Sequence, residues 1–203
     1  MIVIIDLGWG NVRSVYAKID QMNEPVIISS DIEKIETADK IILPGVGAFD
    51  YGMKKIQSLG IKEIIDKKII REKIPILGIC LGMQLFSQNS EEGKLPGLGY
   101  IDVITKKFYF SDTVSLNIPH MGWNTIRIKN VSPLLKGIED NSRFYFVHSY
   151  HLSIDSGDIV IASTVYGYDF PSIIQHDNIF GVQFHPEKSH KQGIQLIRNF
   201  VKM

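Results

Sequence analysis

Residues 2–5 are a continuous apolar run rich in β-branched side chains, the pattern of a short strand covered on both faces. Gly8, Gly10 and Asn11 then make a turn, and Val12, Val15, Ile19 and Met22 follow at helical spacing. Residues 26–28, 41–43 and 76–79 repeat the buried-strand pattern, while residues 61–70 are apolar at helical period with Lys and Glu between. Strands alternating with helices in this way predict a parallel sheet with helices on both faces. Beyond residue 100 the texture changes. Residues 100–110, 125–129, 143–150, 158–164, 172–175 and 179–184 read as strands without long helices between them, so some pairing there is antiparallel. Ile194, Ile197, Phe200 and Val201 close the chain as a helix that packs back on the sheet. The expected fold class is α/β, a three-layer sandwich with a largely parallel, flavodoxin-like central sheet and an added β-rich portion in the second half. With no repeat, low-complexity tract or linker, residues 1–203 read as one domain.

Composition narrows the function classes. Lys plus Arg and Asp plus Glu are equal at 22 each, so no net field favours nucleic acid or an anionic membrane. The N-terminal apolar run meets Asp6 before it forms a signal-peptide core, and no stretch approaches the roughly 20 apolar residues of a membrane span. A cytoplasmic location is expected. The single cysteine cannot form an internal disulfide. Six histidines show no paired ligand spacing, so neither a metal nor a cofactor is expected.

That cysteine sits in Gly78-Ile79-Cys80-Leu81-Gly82, directly after a predicted strand and before Met83-Gln84-Leu85-Phe86, which reads as a helix start. The bland reading of a lone cysteine is a small buried hydrophobe. A strand-to-helix turn flanked by glycines is instead the cysteine version of a nucleophile elbow, where unpaired N–H groups and the positive end of the helix dipole favour a thiolate. Phe184-His185-Pro186-Glu187 supplies a base and an orienting carboxylate. Pro186 biases His185 toward extended backbone, in which residues two apart share a face, so Glu187 can hold one ring nitrogen while the other meets Cys80. Alone, a His-Pro-Glu tripeptide is more often a surface turn. The third element is Leu43-Pro44-Gly45-Val46-Gly47-Ala48-Phe49, a loop on the same sheet edge as the elbow. N–H groups near Val46 or Gly47, with that of Leu81, would form an oxyanion hole. A phosphate-binding loop is disfavoured because no lysine follows at the required spacing.

These motifs, in this order, resemble the class I, triad-type glutamine amidotransferases. Asp6-Leu7-Gly8-Trp9-Gly10-Asn11, Ser90-Glu91-Glu92-Gly93, Pro119-His120-Met121-Gly122-Trp123-Asn124, Tyr145 to Tyr150 and Asn178 to Ser189 narrow the likeness to the glutaminase subunits of imidazole glycerol phosphate synthase. The resemblance implies that Cys80 attacks the side-chain amide of glutamine, with His185 as acid and base and Glu187 orienting it. It further implies that Gly47, Gln84, His148, Ser149 and Tyr150 line the glutamine pocket. A (β/α)8-barrel synthase subunit, joined in a heterodimer, would receive the ammonia. Leu7, Trp9, His151 and Pro171 depart from the family pattern, in segments expected to bear on the partner interface. They leave a glutaminase for surface-sugar biosynthesis as the alternative within the class. Outside it stand a cysteine peptidase-like hydrolase and a non-enzymatic binding module. His120 reads as an interface or loop-ordering residue.

Overall fold

A computed structural model describes residues 1–111, 115–154 and 157–203. In chain order the first half holds β1 (Ile2–Ile5), α1 (Val12–Asp20), β2 (Val26–Ser29), α2 (Ile32–Glu36), β3 (Lys40–Gly45), α3 (Phe49–Ser58), α4 (Lys62–Asp66), β4 (Ile76–Cys80) and α5 (Leu81–Gln84). The second holds β5 (Asn89–Ser90), β6 (Ile104–Lys107), β7 (His120–Thr125), β8 (Arg127–Ile128), β9 (Arg143–His148), β10 (Tyr150–Leu152), β11 (Val160–Tyr166), β12 (Tyr168–His176), β13 (Ile179–Val182) and α6 (His190–Lys202).

Among the described residues the main sheet has eight strands in the order β2-β1-β3-β4-β13-β12-β11-β8. Its first five strands are parallel, and the remaining three join antiparallel. This is the expected doubly wound α/β sandwich with an antiparallel extension. Period-two alternation assigns the two cores. Ile2 and Ile4 of β1 face the layer that carries Val15 and Ile19 of α1 and Leu196, Ile197 and Phe200 of α6. Val3 and Ile5 face the opposite layer, with Phe49, Met53 and Ile56 of α3 and Ile65 of α4. A smaller sheet, β10-β6-β5, and the antiparallel pair β7-β9 form the β-rich addition.

Several expectations change in detail. The helical pattern at 61–70 is real, but its second half widens into a π-helical turn, Lys67–Arg71. The expected strand at 100–110 shrinks to β6. That at 143–150 divides at Ser149, where β9 leaves its β7 partner and β10 pairs with β6. The helix expected after Cys80 is the single turn α5. Its continuation is blocked because Leu85 and Phe86 carbonyls accept hydrogen bonds from Leu98 and Ile101 N–H, and the Ser87 hydroxyl donates to the Gln84 carbonyl. Carbonyls already paired with a neighbouring segment are closed to helix propagation.

Candidate active site

The C-terminal edge of the parallel sheet gathers the ends of β1, β3, β4 and β13, because parallel strands all present that end to the same side. From β4 comes Cys80, whose backbone adopts φ 54°, ψ −110°, a sparsely populated region for a side-chain-bearing residue. Close approach explains its glycine neighbours. A Cβ on Gly82 would lie 1.8 Å from the Leu43 carbonyl oxygen, and one on Gly78 would lie 2.6 Å from the Phe86 ring. The elbow is thus pressed against β3, and the Cys80 side chain, 6% exposed, borders a cavity of about 430 Å³.

β13 leads into His185, in extended backbone (φ −100°, ψ 95°), whose N–H donates to the Tyr145 carbonyl at 2.9 Å. Pro186 opens a 3-10 turn, Pro186–Lys188, and that turn brings Glu187 back beneath the imidazole. His185 Nδ1 and Glu187 Oε1 are 2.8 Å apart, both side chains nearly sealed from solvent. The two residues therefore meet through a tight turn, not along the extended segment the tripeptide suggested. Burial works against a charged His185 ring. Cys80, by charge and hydrogen bonding, and then Glu187 outweigh it and push the imidazole up to about 10. Glu187 is likewise opposed by burial, but its hydrogen bond from His185 and the imidazolium charge hold it below the usual carboxylate value. Among the described residues His185 Nε2 has no partner of ordinary hydrogen-bond geometry and is left for the thiol and a reacting molecule.

Val46, Gly47 and Leu81 lie on the cavity wall beside Cys80, as do Gln84, His148, Ser149 and Tyr150. Gly47 has φ +96°, a conformation that favours glycine. The sequence reading overlooked three side chains. Asn11, the N-cap residue of α1, donates from Nδ2 to Glu187 Oε1 at 2.9 Å. Gln183 donates from Nε2 to Cys80 Sγ at 3.7 Å and accepts at Oε1 from Gln84 Nε2 at 3.1 Å. Glu92 reaches the cavity wall and accepts from the Phe49 N–H that opens α3. All three lie inside the quoted motifs; only for Gln183 was there a local signal, a polar side chain in the otherwise apolar strand expected at 179–184. His120, read as an interface or loop-ordering residue, is 3% exposed at the start of β7, so its side chain is not presented at the surface. Leu7, His151 and Pro171 are also buried, so of the four departures only Trp9 reaches the surface in part. Its ring packs on Tyr51 with centroids 3.8 Å apart.

Chemically, a buried thiol beside an imidazole that is itself pinned by a carboxylate is equipped for nucleophilic attack on a carbonyl, with proton transfer to a leaving nitrogen. Comparison with known proteins gives the fold first. A crystal structure of a glutamine amidotransferase shares the fold with a TM-score of 0.74 at 16% identity, the likeness covering 100% of this chain and 98% of that one. Sequence gives the family: the model for glutamine amidotransferase class-I matches residues 3–203, and the chain belongs to that family. The chain is 48% identical to "Imidazole glycerol phosphate synthase subunit HisH 2" of Methanococcus maripaludis, across 100% of this chain and 99% of the relative. It is 44% identical to the protein of the same name from Pseudomonas aeruginosa, over the full length of both. No helix among the described residues is long and apolar enough to cross a membrane.

Proposed function

We propose that this chain is the glutaminase subunit of an imidazole glycerol phosphate synthase, a cytoplasmic protein that hydrolyses glutamine and passes the ammonia to a (β/α)8-barrel synthase partner. The observation that carries the hydrolysis is the Cys80 elbow opening on a cavity beside the His185–Glu187 pair. Cys80 Sγ attacks the side-chain carbonyl carbon of glutamine, and the oxygen takes up the displaced electron pair. The N–H groups near Val46, Gly47 and Leu81 receive that charge. His185 gives its Nε2 proton to the leaving nitrogen, the C–N bond breaks, and a glutamyl thioester remains. Water then adds to the thioester and gives a proton back to His185. The C–S bond breaks, releasing glutamate and restoring the thiolate.

Support for the acceptor comes from the full-length relatives named above, each carrying the synthase name. The same relatives weigh against the surface-sugar alternative. Cys80→Ala is expected to lower glutamine hydrolysis by at least about 10⁴-fold in the complex while leaving the denaturation midpoint near that of the wild type. Ammonia release that survives the substitution would overturn the mechanism. Hydrolysis of a peptide in preference to glutamine would overturn the substrate, and failure to transfer nitrogen to the histidine-pathway intermediate would overturn the acceptor.

A further inference from the structure

Two buried histidines beside the cavity take no part in the chemistry above, and their hydrogen bonds run in one direction only. Asn124 Oδ1 accepts from the Thr125 N–H at 2.8 Å, an obligate donor, so its Nδ2 faces His120 Nε2 at 3.2 Å and the Val165 carbonyl at 2.9 Å. His120 Nε2 must then be unprotonated, which puts the proton on Nδ1, 3.0 Å from His148 Nε2. His148 Nε2 must in turn accept, so its proton lies on Nδ1, 2.8 Å from the Tyr150 carbonyl, an obligate acceptor. The backbone groups at the two ends fix the same direction independently. No second proton fits on either ring without setting two N–H groups against each other.

The Tyr150 carbonyl also accepts from Gln84 Nε2 at 2.8 Å. Gln84 Nε2 spends its other proton on Gln183 Oε1, and Gln183 donates to the Cys80 sulfur. The Gln84 amide is thereby oriented, with both of its donors used, and the residue lines the cavity. Phe146 and Tyr166 both stack on the His120 ring, at centroid distances of 4.8 and 4.0 Å, and hold it in place.

We propose that Asn124, His120 and His148 form a directional relay of neutral side chains that locks the Gln84 amide with its carbonyl oxygen toward the cavity, making His120 and His148 positioning residues for the substrate. The ligand this acceptor suits is a group bearing N–H, and the reading that glutamine is that ligand rests on the function proposed above. Burial pushes His120 down to about 4 and His148 well below the ordinary histidine value, in keeping with neutral rings.

The test has two arms. In the first, long-range ¹H–¹⁵N spectra of the histidine-labelled full chain at pH 7, assigned by loss of signals in His120→Asn, are expected to show both rings neutral and protonated on Nδ1, the minor tautomer of free histidine. A proton on Nε2 of either ring overturns the relay whatever the substrate. In the second, His120→Leu removes the donor to His148, whereas His120→Asn keeps an N–H where Nδ1 stood. His120→Leu is expected to raise KM for glutamine about tenfold with kcat changed less than about threefold, and His120→Asn to stay within about threefold of wild type. Equal damage in both variants would mean the ring merely packs, and no damage in either would mean the relay does not position Gln84. A wild-type chain that shows the Nδ1 tautomers yet hydrolyses no glutamine in the complex would sink the substrate reading and leave the relay standing.

Discussion

Glu187 shows how one carboxylate oxygen can be asked to do two things. Its Oε1 accepts from His185 Nδ1 and from Asn11 Nδ2, from opposite ends of the chain, while burial of the imidazole and the carboxylate shields the first bond from competing water. Asn11 thus holds the carboxylate that holds the imidazole. Asn11→Ala is expected to reduce kcat for glutamine hydrolysis by about tenfold, with a smaller change in KM, because the amide touches neither the thiol nor the cavity. Steady-state kinetics of the complex will read this, and a loss confined to KM would argue against the role. The His185–Glu187 pair was visible in the sequence because its members lie two positions apart. Asn11 was not, since it lies 176 positions from the residue it serves, and no local periodicity encodes that distance.

Glycine spacing in the β4–α5 element tells a similar story about strands. The Gly-x-Cys-x-Gly pattern announced an elbow, yet what each glycine avoids is a neighbour from another element: the Leu43 carbonyl of β3 for Gly82, the Phe86 ring for Gly78. Gly82→Ala sets a methyl carbon 1.8 Å from a carbonyl oxygen held in the middle of a sheet, with no flexible side chain to yield. The expected cost is above about 3 kcal/mol or outright failure to fold. Gly60→Ala meets nothing within 4 Å among the described residues and suffers only from its φ of +65°, so about 1 kcal/mol is expected. Urea denaturation of the two variants compares these mechanisms directly; equal losses would remove close approach as the reason for Gly82. The length of α5 was the part that local pattern misjudged. Its apolar spacing continues past Gln84, but the Gly97–Ile101 segment claims the carbonyls that further turns would need.

For the molecule as a whole, the buried histidines set the acid limb of stability. His120 is neutral in the fold, at about 4, against an ordinary value of 6.5. Below pH 6.5 the unfolded chain takes up a proton that the folded chain refuses, so stability is complete above that pH and falls as pH drops toward 4. His120 alone accounts for up to about 3 kcal/mol of loss, a large share of a typical domain's margin. His148 and His151, both lowered by burial, act in the same direction. His185 carries the opposite sign: its raised value makes its contribution full below 6.5 and lost as pH rises toward 10. Urea midpoints are therefore expected to peak between about pH 6 and 7, to fall by pH 4.5, and to fall less steeply in His120→Asn. A wild-type midpoint unchanged between pH 7 and 4.5 would contradict this account.

The sequence by itself determined the alternation that makes a doubly wound sheet, the turn that exposes Cys80 and the adjacency of His185 and Glu187, because each depends on residues within a few positions of one another. Tertiary structure alone decided that Asn11 anchors Glu187, that Gln183 meets the thiol, that Leu7 and His151 face inward, and that His120 and His148 are joined. Those relations arise where strands remote in the chain end on one sheet edge or pair across β7 and β9. There the partner of a polar side chain is fixed by register and packing, which span distances that no local pattern records.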